Sequence, residues 1–193
     1  MQAILEAHAL GISQFGENYV QEALPKILDP QLQNKKIEWH FVGSLQTNKM
    51  NKIIPAIHWL HSLSQNSQVE KLEKMRGQGG AIPKLLIQIN VASEDTKSGL
   101  LEDQIQPFVE YISSQSQLEV CGLMIFPPYQ TNPEDNRRYF AQAYEWKEQI
   151  NGWKLPRIQL RELSMGVSND YAIAMEEGAT MIRVGEALFG VRR

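Results

Sequence analysis

Near the end of the chain, LSMGVSNDY (Leu163 to Tyr171) sets Ser164, Gly166 and Ser168 in alternation before Asn169 and Asp170. The run YAIAMEEGA that follows reads as a helix, so this small, hydroxyl-rich turn stands where a strand hands over to a helix. Two chemistries suit it. Ser168 can cap the helix, or the hydroxyls and main-chain N–H groups can hold an anion at the helix start. A second turn, RVGEA, sets Arg183 two residues before Gly185 and Glu186, again at a helix start. Arginine is a two-pronged partner for phosphate. On neighbouring strands the two turns together favour an anion site over a cap and an unrelated structural charge.

Other candidates point to plainer roles. His58 and His61 flank Trp59-Leu60 and suggest a metal pair, but no Cys or carboxylate stands at suitable spacing, so core or rim positions are expected. His40, between Trp39 and Phe41, reads as a hydrogen-bonded core histidine. Cys121 sits in an apolar strand and reads as an inert small hydrophobe. The EEGA run at 176–179 is a helix end with Gly178 just past it.

These residues need a scaffold, and the hydrophobic pattern supplies one. Helix-like periodicity near 2–10 stops at Gly11. Strand and helix then alternate: strands near 12–16, 37–43, 59–64, 84–92, 118–126, 161–165 and 181–185, with helices near 17–28, 47–54, 67–77, 101–115, 133–150 and 169–177, and a short terminal helix. KLLIQINVA is a near-continuous apolar run, as in a strand buried on both faces of a parallel sheet. Such alternation means βαβ units. Seven strands behind an opening helix predict an α/β fold, a (β/α)8 TIM-type barrel with its first strand missing, forming a single domain over residues 1–193. In such a barrel the working face is the C-terminal end of the strands, where both anion-site turns fall.

Composition excludes several classes. The net charge of −3 argues against a nucleic-acid partner. No apolar run approaches the length of a membrane span, and the first residues have no signal-peptide pattern. One cysteine excludes an internal disulfide framework, which points to a reducing cytoplasm.

The segments FGENYVQEA, IEWHFVGSLQTNK, LLIQINVASEDTKSG, GLM and ELSMGVSNDYAIAMEEGATMIRVGEALFG run in order from about Ala3 to Val191. They resemble the YggS/PROSC family of pyridoxal 5′-phosphate (PLP) homeostasis proteins, and several long motifs make that resemblance specific. It implies a barrel like the N-terminal domain of alanine racemase, with PLP at the C-terminal mouth. It also implies a monomeric carrier of PLP that serves vitamin B6 balance and PLP-dependent apoenzymes without robust catalysis. Carried over residue by residue, it assigns Asn18 and His40 to the cofactor's surroundings. Ser164, Gly166 and Ser168 become the phosphate cradle, completed by Arg183, Gly185 and Glu186, the last two through main-chain N–H groups.

The family's PLP lysine lies in an A-V-S-K-T stretch on its first strand, and this chain opens at the helix that follows. A covalent Schiff base is therefore not expected here. Lys97 matches another family lysine, and Lys49 lies on the same face; a solvated loop charge is the plainer reading of Lys97. The alternatives are a racemase-like PLP enzyme, a sugar-phosphate isomerase with Glu17 or Glu94 as base, or a truncated copy with impaired PLP binding.

Overall fold

Residues 1–92 and 98–190 are described by the computed structural model; Glu94 and Lys97 lie outside the described residues. The order is α1 (Gln2–Ala9), β1 (Gln14–Glu17), α2 (Val20–Ile27), α3 (Pro30–Gln33), β2 (Glu38–Phe41), α4 (Thr47–Ile53), β3 (Trp59–Leu63), α5 (Asn66–Gly77) and β4 (Lys84–Ile89). Then follow α6 (Glu102–Gln115), β5 (Val120–Ile125), α7 (Arg137–Gly152), β6 (Ile158–Val167), α8 (Tyr171–Glu176), β7 (Met181–Arg183) and α9 (Glu186–Phe189). All neighbouring strands are parallel and pair in chain order from β1 to β7. The seven strands form a nearly closed α/β barrel. Among the described residues β1 pairs only with β2 and β7 only with β6, which leaves two strand edges.

Boundaries depart from the sequence pattern where local chemistry is decisive. The helix expected from 17 begins at Val20, because Glu17 still pairs with Phe41 as the last residue of β1. α3 is an element the periodicity did not predict. Its signal is Asp29-Pro30: the Asp29 carboxylate accepts from Gln31 N at 2.8 Å, and the proline occupies the first turn, where its missing N–H costs nothing. The helix expected from 133 starts as a 3-10 turn, Pro133–Asn136, before α7. The strand expected over 161–165 runs from Ile158 to Val167, with Ile158 and Leu160 buried and Gln159 and Arg161 exposed.

Helices are held by apolar faces. In α6, Ile105, Phe108, Val109 and Ile112 recur at helical spacing and are all buried; each contributes about 1.5–3 kcal/mol by leaving water. Phe108→Ala is the change expected to harm that face most, by about 3–5 kcal/mol. Alternation along the strands divides the remaining core. Trp39 and Phe41 join the large cluster under the helices, whereas Trp59, Leu86 and Met124 form a second, smaller one. That second cluster fills the barrel interior, as a barrel of this width requires. His40 stacks on Trp59, ring centroids 5.5 Å apart and planes 6° from parallel, so it too faces inward.

Candidate functional site

The turn after β6 is shaped by one glycine and one aspartate. Gly166 has φ +86°, and a Cβ there would lie 2.6 Å from the Ala174 Cβ and 3.0 Å from the Tyr171 Cα. Only a residue without a side chain lets α8 pack this tightly against the strand end. Asp170 is 4% exposed. Its carboxylate accepts from Val167 N at 2.7 Å and from Asn136 Nδ2 at 2.8 Å. Asp170, not Ser168, holds the N-cap position of α8.

The Ser168 hydroxyl serves the neighbouring loop instead. It accepts from Gly185 N at 3.2 Å and Ala187 N at 3.3 Å, joining the β6–α8 turn to the start of α9. Glu186 opens α9 and is exposed. The two N–H groups directed at the turn thus come from Gly185 and Ala187. Gly185 has open space where a Cβ would project.

Behind this turn lies a buried polar chain. Ser164 is 0% exposed. Its hydroxyl meets Arg183 Nη1 at 2.8 Å and His61 Nδ1 at 2.9 Å. His61 Nε2 meets His40 Nδ1 at 2.9 Å. Arg183 Nη2 donates to Ile125 O at 2.8 Å, while Arg183 Nε and His40 Nε2 are enclosed without a hydrogen-bond partner. The guanidinium also stands over the Phe126 ring, 5.2 Å from its centroid. β7 thus supplies the arginine, β6 the serine, β3 and β2 the histidines, each from an inward-facing position.

Electrostatics follow from that burial. Desolvation pushes His61 down to about 3, helped by His40 and Arg183. His40 falls to about 4, again chiefly through desolvation. Both imidazoles are neutral near pH 7. Burial also pushes the Arg183 guanidinium down to about 10, which the Asp170 charge partly offsets. It remains a cation, and among the described residues no carboxylate pairs with it. A half-buried guanidinium without a counter-charge is costly unless an anion arrives. Directed N–H groups and a hydroxyl beside it suit phosphate.

Gly166, Ser168, Arg183, Gly185 and Glu186 come together at the mouth, with Ser164 directly beneath Arg183. His40 joins them only through His61. Asn18 stays outside this hydrogen-bonded group. It is exposed after β1, and a Cβ on Gly43 would lie 2.0 Å from its carbonyl oxygen, so the β2–α4 loop passes tightly against it. His58 and His61 do not converge: His58 Nδ1 accepts from Trp39 N at 2.9 Å. Sequence reasoning missed His61 and Asp170 as site residues. Alternation with Trp59 on β3 marked His61 as inward-facing, but its partner Ser164 lies 103 residues away.

A family model described as alanine racemase, N-terminal domain, matches residues 1–193. A pyridoxal phosphate homeostasis protein of Aquifex aeolicus is 36% identical over 192 residues, spanning 100% of this chain and 82% of that protein. The structure of PipY from Synechococcus elongatus with PLP bound superposes with a TM-score of 0.89 at 35% identity, over 98% of this chain and 87% of PipY. Alanine racemase from Corynebacterium glutamicum is similar in fold alone, with a TM-score of 0.69 at 16% identity.

Proposed function

The chain belongs to the alanine racemase N-terminal-domain family, among the YggS/PROSC-type pyridoxal phosphate homeostasis proteins, and we propose that it binds PLP at the C-terminal mouth of its barrel. The observation that carries this reading is Arg183, a half-buried guanidinium with no carboxylate partner among the described residues. Its neighbours suit the cofactor. Ser168, Gly166 and the N–H groups of Gly185 and Ala187, which flank Glu186, would hold the phosphate, with Arg183 as the fixed cation beside it. Ser164 and His40 would act from beneath, and Asn18 from the rim. When bound, PLP supplies an aldehyde and an electron-withdrawing pyridine ring.

A carrier role in vitamin B6 balance fits the site better than catalysis. The nearby titratable groups are tied down: His40 and His61 are buried and neutral, and both Asp170 oxygens accept hydrogen bonds. A general acid or base needs a proton it can exchange with substrate. In this reading the protein is a cytoplasmic monomer, a single barrel domain over 1–193, that hands PLP to PLP-dependent apoenzymes. Among the described residues no helix is long and apolar enough to cross a membrane.

Calorimetric titration of the full chain with PLP, pyridoxal and inorganic phosphate tests the reading. PLP is expected to bind, pyridoxal to bind at least about tenfold more weakly for want of charge-assisted hydrogen bonds, and phosphate to compete with PLP. Equal affinity for PLP and pyridoxal, or no uptake of PLP, overturns it.

A further inference from the structure

We infer that His61 is a positioning residue for Arg183, acting through the Ser164 hydroxyl, and that His40 holds His61 in the tautomer this requires. The argument is one of donors and acceptors. Arginine carries only donors, so in the 2.8 Å contact with Arg183 Nη1 the Ser164 oxygen accepts. The single Ser164 proton then needs an acceptor. Among the described residues the other partner of this hydroxyl is His61 Nδ1, at 2.9 Å. Ser164 is 0% exposed, so the alternative polarity would strand its proton away from water, at the full desolvation cost of the group.

His61 Nδ1 is therefore unprotonated. A neutral imidazole then carries its proton on Nε2, which donates to His40 Nδ1 across 2.9 Å. His40 in turn is protonated on Nε2, which is enclosed without a partner in either polarity. The reverse order would leave the Ser164 proton unpaired as well, two buried groups against one. Every link runs the same way, from Arg183 through Ser164 and His61 to His40, and bonds aligned in series reinforce one another. With Ile125 O holding Nη2, the guanidinium is gripped from β5 and, through Ser164 and His61, from β6 and β3. Its binding consequence rests on the proposed role of Arg183 in holding PLP.

The proposal has a readout that does not depend on PLP. Long-range proton–nitrogen spectra of the 15N-labelled chain at pH 7 are expected to show His40 and His61 neutral and both protonated on Nε2. Arg183 Nη protons should be resolved, because the guanidinium cannot rotate freely. His61→Asn presents an amide oxygen where Nδ1 stood, whereas His61→Gln presents its amide nearer the position of Nε2. Resolved Arg183 signals are expected in wild type and His61→Asn, and averaged ones in His61→Gln, His61→Leu and Ser164→Ala. In PLP titrations the last three are expected to bind about tenfold more weakly, the effect of one lost hydrogen bond to a charged group, with His61→Asn within about threefold of wild type.

A proton on His61 Nδ1, or unchanged Arg183 signals in His61→Leu, overturns the proposal. Should His61→Leu not fold, Ser164→Ala, which removes one oxygen, decides the same point. Wild-type spectra as expected with no PLP uptake would sink the proposed function and leave the positioning of Arg183 standing.

Discussion

Gly185 donates its main-chain N–H to the Ser168 hydroxyl across 3.2 Å, so the loop after β6 and the loop after β7 meet at one oxygen. The two loops carry unequal partners for an anion, a neutral hydroxyl and a cation, and their loss should be unequal too. Arg183→Ala is expected to weaken PLP binding by about 1.5–3 kcal/mol and Ser168→Ala by about 0.5–1.5 kcal/mol, the ranges for charged and neutral hydrogen bonds. Phosphate should raise the melting temperature of wild type and not of Arg183→Ala, since a ligand stabilises only what binds it. Calorimetry and thermal melts check both; the reverse ranking would make the hydroxyl the main anchor.

Gly166→Ala should damage the turn itself. The new methyl meets Ala174 at 2.6 Å, at a φ of +86° that side chains rarely adopt. A cost of about 1–3 kcal/mol is expected from overpacking and backbone strain, read by urea denaturation. PLP affinity should fall as well, because shifting α8 moves Ser168. An unchanged midpoint would mean that α8 retreats freely.

The buried histidines set a pH dependence. Their ordinary value is 6.5, while in the folded chain His40 titrates at about 4 and His61 at about 3. Between these values the unfolded chain binds more protons than the folded one. The stability contributed by the neutral pair is thus complete above about pH 6.5 and is lost as pH falls toward 4 and 3, by up to about 1.4 kcal/mol per histidine per pH unit. Urea midpoints between pH 7.5 and 4.5 should fall steeply in wild type and less in a His40→Asn/His61→Asn chain. Parallel curves would show that other groups carry the dependence.

Cys121 should be unreactive. Its thiol donates to Leu85 O at 3.4 Å, and burial, with the Glu162 charge, pushes it up to about 11. Thiolate is the reactive form. Alkylation at pH 8 should therefore be slow in buffer and fast in urea; rapid labelling of the folded chain would show that the strand opens locally.

The sequence by itself determined the parallel α/β architecture, because alternation of period 2 and period 3.6 is written locally in segments such as KLLIQINVA and the α6 face. It also marked the two turns at 164–168 and 183–186, whose glycines, hydroxyls and arginine follow from what a phosphate needs. Only the tertiary structure decided how those residues divide their work. Ser164 and Ser168 read alike along the chain, yet pleating directs Ser164 inward to Arg183 and His61, while Ser168 lies at the loop surface against Gly185. His61 carried a local sign of an inward position but none of its partners. Its partners come from β2, its neighbour in the sheet, and from β6, brought across by barrel curvature, and hydrogen bonds between residues 21 and 103 positions apart leave no periodicity to read.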